Sequence, residues 1–309
     1  MRRRDMVHAL LENDSIRSAW VQAAFERVPR EVFVPRFLRW VGGQQVLVDG
    51  TDNRVEWLRG VYSDEALTVQ MTAAADVVDP AGLPTSSSSA PSVMAGMLEA
   101  LDLQRGQRVL EIGAGTGYNA ALLAQRVGDE NVVTVELDPQ LADAARGALA
   151  EVGLYPTVHV GDGAAGVPDA APFDRIIATA AISSVPPEWI EQLAPGGVIV
   201  ANLRGNLAGG IVRLTRDEGE DDAGAAGMVG AFLDMHGLFM PMRSRLDSPY
   251  RDGEDWGQVV FDRRNPQVTR TALDPAVLAD SSYRFMLQLH LAGHRLRGFL
   301  PGMTADAIA

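Results

Sequence analysis

From residue 93 onward the chain alternates two hydrophobic rhythms. Short, nearly continuous apolar runs are separated by longer stretches in which apolar residues recur every three or four positions. The pattern predicts a helix over 93–103, a strand over 107–112 (QRVLEI), a helix over 117–127 and a strand over 131–136 (NVVTVE). A helix over 139–152, strands over 156–160 and 174–179 (DRIIAT), a helix over 187–194 and a strand over 197–203 (GVIVANL) follow. Strands without polar alternation are buried on both faces, and strands separated by helices make βαβ units around a parallel sheet. The expected fold is therefore α/β, doubly wound and Rossmann-like, with an N-terminal helical segment and a small C-terminal extension.

The flanks are less regular. Residues 15–41 carry a helix-like stretch, SIRSAWVQAAFERV, that stops at Pro29 and passes into REVFVPRF. Residues 42–84 read as polar and irregular, with two short strand-like runs, QQVLV and ALTVQM. An antiparallel pair, roughly 208–216 and 228–235, flanks the acidic, Gly/Ala-rich stretch DEGEDDAGAAG (217–227), which has the composition of a solvated tip. After Arg243 the pattern predicts one short strand, VVFD, and helices over 274–280 and 282–298. Three regions result: an N-terminal segment 1–84, a core 85–243, and an extension 244–309 read as a peptide-recognition subdomain.

Composition narrows the class. Of 309 residues, 47% are hydrophobic and 22% charged, an ordinary globular balance. The formal net charge of −13 repels a polyanion, so nucleic acid is not an expected partner. No apolar run is long enough to span a bilayer, and Asp5, His8, Glu12 and Asp14 interrupt the N-terminus, so a soluble, cytoplasmic protein is expected. There is no cysteine, which removes disulfides, thiolate nucleophiles and thiolate-bound metals together. His290 and His294 stand four apart as helical metal ligands do, but they have no obvious third ligand, and a packing or surface role is expected.

The chemistry concentrates in VLEIGAGTGYNAALLA, residues 109–124. Gly113, Gly115 and Gly117 between a strand and a helix allow a tight turn whose backbone approaches a ligand at the helix N-terminus. The stretch from Gly115 to Ala120 also satisfies the loose dinucleotide fingerprint. Glu111 just before the glycines favours S-adenosylmethionine (SAM) instead, because a carboxylate there attracts a sulfonium or ammonium group and repels a pyrophosphate. Glu136 ends the next strand, where an acid accepts from both ribose hydroxyls, and Asp162 lies in a Gly-Asp-Gly turn after the third, where it can accept from an adenine amino group. The stretch TSSSSAPS (85–92), ahead of the helix at 93, reads by composition alone as a linker.

Several segments in order resemble the protein L-isoaspartyl O-methyltransferases. They are FERVPREVFVP (25–35), VYSDEAL (61–67), SSAPSVMAGMLEAL (88–101), VLEIGAGTGYNAALLA (109–124), VGDGAAGVPDAAPFDRIIATAA (160–181) and IEQLAPGGVIV (190–200), with FMPMR (239–243) like that family's final core strand. The resemblance implies SAM as cofactor, S-adenosylhomocysteine (SAH) as its product, and a peptide carboxylate as methyl acceptor. It turns the serine stretch into a site, with Ser89 positioning the acceptor and Ser87 and Pro91 beside it. Ser88, Glu111, Gly113, Gly115, Gly117, Asn119, Glu136, Leu137, Asp162 and Gly163 would bind the cofactor. It implies no metal and no general base, since a carboxylate is already ionised at neutral pH.

This chain departs from the family pattern in an insertion within 36–60, in four consecutive serines, in Asn202, Arg204 and Arg243 as candidate substrate contacts, and in the residues after Arg243. These features resemble the branch associated with ribosomally made, modified peptides. That likeness implies methylation of a genuine aspartate in a cyclised precursor, the ester closing to a succinimide (aspartimide) or isoaspartate. General isoaspartyl repair is the alternative, and a non-catalytic SAM-binding peptide-recognition module a second.

Overall fold

A computed structural model describes residues 2–42, 44–71, 83–205, 209–220, 226–235 and 237–246. The N-terminal segment holds more regular structure than its polarity predicts. It runs α1 (Arg3–Glu12), α2 (Ala19–Arg27), α3 (Arg30–Phe33), β1 (Arg36–Val41), β2 (Gln44–Asp49), α4 (Arg54–Val61), β3 (Leu67–Met71) and β4 (Pro84–Ser88). The helix-like stretch expected after residue 15 is α2. Ser18 caps it by accepting from the Val21 amide, and it stops short of Pro29, which cannot donate in a continuing helix. Sequence periodicity missed α1 and α4 because each buries only a narrow stripe: Met6, Val7 and Leu10 in one, Trp57 and Val61 in the other. The described residues within 42–84 are thus not irregular. Strands β1 to β4 form an antiparallel sheet in the order β2-β1-β3-β4. The serine stretch is its last strand, although serine has little intrinsic strand preference, because β3 supplies the ladder.

The core follows the predicted alternation closely: α5 (Pro91–Leu101), β5 (Val109–Ile112), α6 (Tyr118–Val127), β6 (Val132–Glu136), α7 (Pro139–Glu151), β7 (Thr157–Val160), β8 (Phe173–Ile182), α8 (Pro187–Gln192) and β9 (Leu193–Arg204). Then come β10 (Gly209–Glu220) and β11 (Ala226–Phe232). The second sheet has the order β11-β10-β9-β8-β5-β6-β7, parallel from β7 to β9 and antiparallel at β10 and β11. Every residue of β5 and β6 is buried, as both-face coverage requires.

Two expectations are corrected here. The acidic stretch 217–227 is not all turn, since β10 extends to Glu220 and β11 begins at Ala226. Residues 239–243 do not form a strand. They make a single parallel bridge, Ala181 to Pro241, with the Ala181 amide donating to Met240 O and the Met242 amide to Ala181 O, both at 2.8 Å. Pro241 has no amide to extend the ladder. The VVFD strand, the helices at 274–280 and 282–298, and His290 and His294 lie outside the described residues.

The N-terminal segment is bound to the core by polar as well as apolar contacts. Glu99 on α5 accepts from the Arg17 amide (2.8 Å), the Ser18 amide (2.7 Å) and the Ser18 hydroxyl (3.0 Å). The apolar residues of α1 and α2 share one core with α5 and α6. That packing brings β4 over the end of β5, where the ligand site lies.

Candidate active site

The carboxyl ends of β5 and β6 and the strand β4 enclose a cavity of about 320 Å³. In a doubly wound fold this is where ligands bind. Strand β5 enters it with Glu111, then turns into α6 through glycines. Gly113 has φ +95°, and a Cβ there would lie 3.0 Å from Thr179 Oγ1, itself bonded to Gly113 O (2.7 Å). Gly117, the residue before α6, has φ +84° and faces Ala145, so the helix N-terminus packs directly on α7. The turn is further held by Glu136, whose carboxylate accepts from the Gly115 amide (2.8 Å) and the Asp138 amide (3.1 Å).

Glu111 is completely buried. One carboxylate oxygen accepts from Asn119 Nδ2 (2.8 Å) and the other from the Thr134 hydroxyl (2.6 Å). Burial nevertheless pushes its carboxyl up to about 7; the two hydrogen bonds oppose the rise and the nearby Glu136 adds to it. Asn119 Oδ1 is buried with no hydrogen-bond partner in the protein and lines the cavity. An unpaired acceptor beside two buried acids fits a ligand with a hydrogen-bond-donating cationic end, such as the aminoacid and sulfonium end of SAM.

The structure gathers most of the sequence-predicted residues in this cavity. Ser87, Ser88, Ser89, Glu111, Gly113, Gly115, Asn119, Glu136, Leu137, Gly163 and Arg243 line it. Pro91, Gly117, Asp162, Asn202 and Arg204 are not among its lining residues. Pro91 starts α5, and Asp162 caps the following 3-10 turn by accepting from the Ala164 amide (2.9 Å). Asn202 is interior. It donates to Gly210 O (3.2 Å) and accepts from the Phe239 amide (3.2 Å), so it joins β9, β10 and the 237–242 segment. Arg204 ends β9 and is half-buried.

Sequence reasoning missed three supports of this site. Arg30 is wholly buried and donates to Val61 O (2.8 Å), Ser63 O (3.1 Å), Glu65 O (3.2 Å), Ser88 O (3.2 Å), Ser89 O (2.9 Å) and Ser88 Oγ (3.3 Å). Its guanidinium also stands 5.9 Å from the ring centroid of Tyr118. Burial lowers its pKa to about 10, still far above neutrality, so it stays charged. It fixes the two serines at the cavity. The second support is Trp189 on α8, whose indole donates to Gly163 O (2.8 Å). Gln192 on the same helix accepts from the Val167 amide and donates to Ala165 O, both 2.8 Å, so α8 holds the whole 163–167 turn. The third is the part that Leu238, Phe239, Met240, Pro241 and Met242 play in lining the cavity, where only Arg243 of that segment was expected. The signal for Arg30 lay in the sequence as a charged residue within an apolar stretch, PREVFVP.

A glycine turn into α6, an acid at each of two adjacent strand ends and a doubly wound sheet define the class of SAM-dependent methyltransferases. Within that class, the chain belongs to the protein-L-isoaspartate O-methyltransferase family. The family model for protein-L-isoaspartate(D-aspartate) O-methyltransferase matches residues 52–225. A protein-L-isoaspartate O-methyltransferase of Ignicoccus hospitalis is 38% identical over 201 residues, covering 64% of this chain and 80% of that protein. The one of Methylorubrum populi is 37% identical over 211 residues, 68% and 84% of the two chains. A solved protein-L-isoaspartate O-methyltransferase aligns over 76% of this chain and 66% of its own with a TM-score of 0.53 and 28% identity. Another, from Plasmodium falciparum in complex with S-adenosyl-L-homocysteine, covers 79% of this chain and 100% of its own with a TM-score of 0.58. At 15% identity its likeness is one of fold. The enzyme is thus a SAM-dependent carboxyl methyltransferase. Among the described residues no helix is long and apolar enough to cross a membrane.

Proposed function

We propose that this enzyme transfers the SAM methyl group to the carboxylate of an isoaspartyl residue in a polypeptide. The observation that carries the reading is one cavity lined by two chemically opposite sets of groups. Glu111 and the unpaired Asn119 Oδ1 suit the cationic end of the cofactor, while Ser87, Ser89 and Arg243 suit a carboxylate. Gly113, Gly115, Glu136, Leu137 and Gly163 also line the cavity; in this reading the two glycines would bring backbone against the cofactor and the other three would receive its adenosine. Ser89 would hold the acceptor carboxylate by its hydroxyl. SAM supplies an electrophilic methyl on a sulfonium, and an ionised carboxylate needs no base to attack it. The protein's work is to align the two and exclude water, a contribution of roughly 7–11 kcal/mol in favourable cases. Methyl transfer from labelled SAM to paired isoaspartyl and aspartyl peptides tests this. Isoaspartyl peptides should be methylated and their aspartyl twins not; the reverse preference would refute it.

A second reading, tailoring of a genuine aspartate in a cyclised precursor peptide to a succinimide or isoaspartate, is favoured by one observation. The β1–β2 hairpin (36–49) and residues 244–309 fall outside both the matched family segment and the stretches that resemble the family, and Arg243 lines the cavity, donating to Thr85 O at 3.5 Å. Selectivity for one aspartate among many requires recognition of its surroundings. A cyclised precursor methylated faster than any linear isoaspartyl peptide would establish it.

A further inference from the structure

We propose that the outer face of the β2-β1-β3-β4 sheet is the docking platform for the polypeptide flanking the methyl acceptor. The inference rests on the proposed polypeptide acceptor and adds where that polypeptide is gripped. Leu47, Leu38, Thr68 and Ser87 occupy one register row across the four strands. Residues paired across a sheet project from the same face, so this row is a single path. Its inner end lies in the active site, for Thr68 and Ser87 line the cavity. Its outer end is apolar and open: Leu38 is half-buried, Leu47 is 54% exposed, and Trp40, two residues along β1 on the same face, is 57% exposed. The opposite face is the one turned to the protein body, burying Phe37, Val48 and Ser88.

A lone exposed leucine would carry no meaning. Here a tryptophan and two leucines lie on one face, and the leucines lead through Thr68 to Ser87. An exposed tryptophan beside other apolar side chains is well suited to anchor a peptide. Three strand spacings of about 4.8 Å separate Ser87 from Leu47, roughly 14 Å, and an extended peptide covers that in about four residues. The face therefore suits a polypeptide whose reacting residue sits at the serines while an apolar side chain about four positions away packs between Trp40 and Leu47. A second copy of this chain is the other candidate occupant.

The test compares two isoaspartyl acceptors, a tripeptide that cannot reach Trp40 and a twelve-residue peptide bearing a leucine four positions from the isoaspartate. The enzyme and its double variant Trp40→Ser/Leu47→Ser are assayed on both, with SAH calorimetry and light scattering alongside. The double variant should raise KM for the long peptide about tenfold, the loss of a modest anchor. Its kcat, both constants for the tripeptide and SAH affinity should stay unchanged. Equal losses on both peptides, no loss on the long one, or a wild-type dimer that the double variant dissociates would overturn the platform. Failure of the wild type to methylate either peptide would instead sink the acceptor reading, and the platform with it.

Discussion

Glu111→Gln is expected to stabilise this protein in the absence of ligand once the pH rises above the ordinary carboxylate value of 4.5, with the full effect reached just above 7. Glu111 has no exposed surface, and burial raises its carboxyl from the ordinary 4.5 to about 7. Between those two values the folded chain holds a proton that the unfolded chain has lost. Stability then falls as pH rises through that window, and the low value persists above 7. At about 1.4 kcal/mol per tenfold change in acidity, the loss attributable to Glu111 is about 3 kcal/mol. A glutamine has the same shape: its oxygen accepts from Asn119 Nδ2, and its amide donates to Thr134 Oγ1 once that hydroxyl rotates. The variant keeps both contacts and removes the buried charge. Urea unfolding followed by circular dichroism should give matching stabilities for wild type and variant near pH 4.5. At pH 8 the variant should be the more stable by about 3 kcal/mol. SAM should meanwhile bind it more weakly, because the carboxylate that destabilises the empty fold is the one we propose faces the ligand's positive end. Stability curves that stay parallel across the whole pH range would refute the reasoning, as would unchanged SAM affinity.

Three further outcomes are expected. Arg30→Lys, which keeps a charge but loses the planar fork that reaches five carbonyls and the Ser88 hydroxyl, should lower kcat/KM for the peptide by about tenfold or more. SAH affinity in that variant should stay within about twofold by calorimetry, since Arg30 reaches the serines and not the glycine turn; parallel loss of both would make Arg30 a general structural residue. Trp189→Phe removes the indole bond to Gly163 O and leaves part of a fully buried ring site empty, so it should cost about 2–4 kcal/mol in urea unfolding and weaken SAH several-fold. Unaltered SAH affinity would remove Gly163 from the cofactor's surroundings. Ser89→Ala should bind SAH normally and lose methyl transfer, and near-normal turnover in that variant would leave Ser89 without a role in the acceptor site.

The α/β core was legible because its signals are local. Val109–Ile112 and Val132–Glu136 are buried on both faces and so are nearly continuously apolar, and Gly113 and Gly117 mark conformations that side chains resist. The order of strands, glycines and acids along the chain thus determined a doubly wound fold with Glu111 and Glu136 at one site. Distant pairing is not local, and there the sequence was silent. A run of serines reads as a linker until β3 lies beside it, and no pattern in residues 85–89 announces that a guanidinium fifty-eight positions upstream will bind Ser88. Asn202 and Arg243 looked alike as polar departures from a pattern. Tertiary packing divided them, turning Asn202 inward between β9 and the 237–242 segment and leaving Arg243 at the cavity, because only folding decides which polar side chain finds its partners inside the protein.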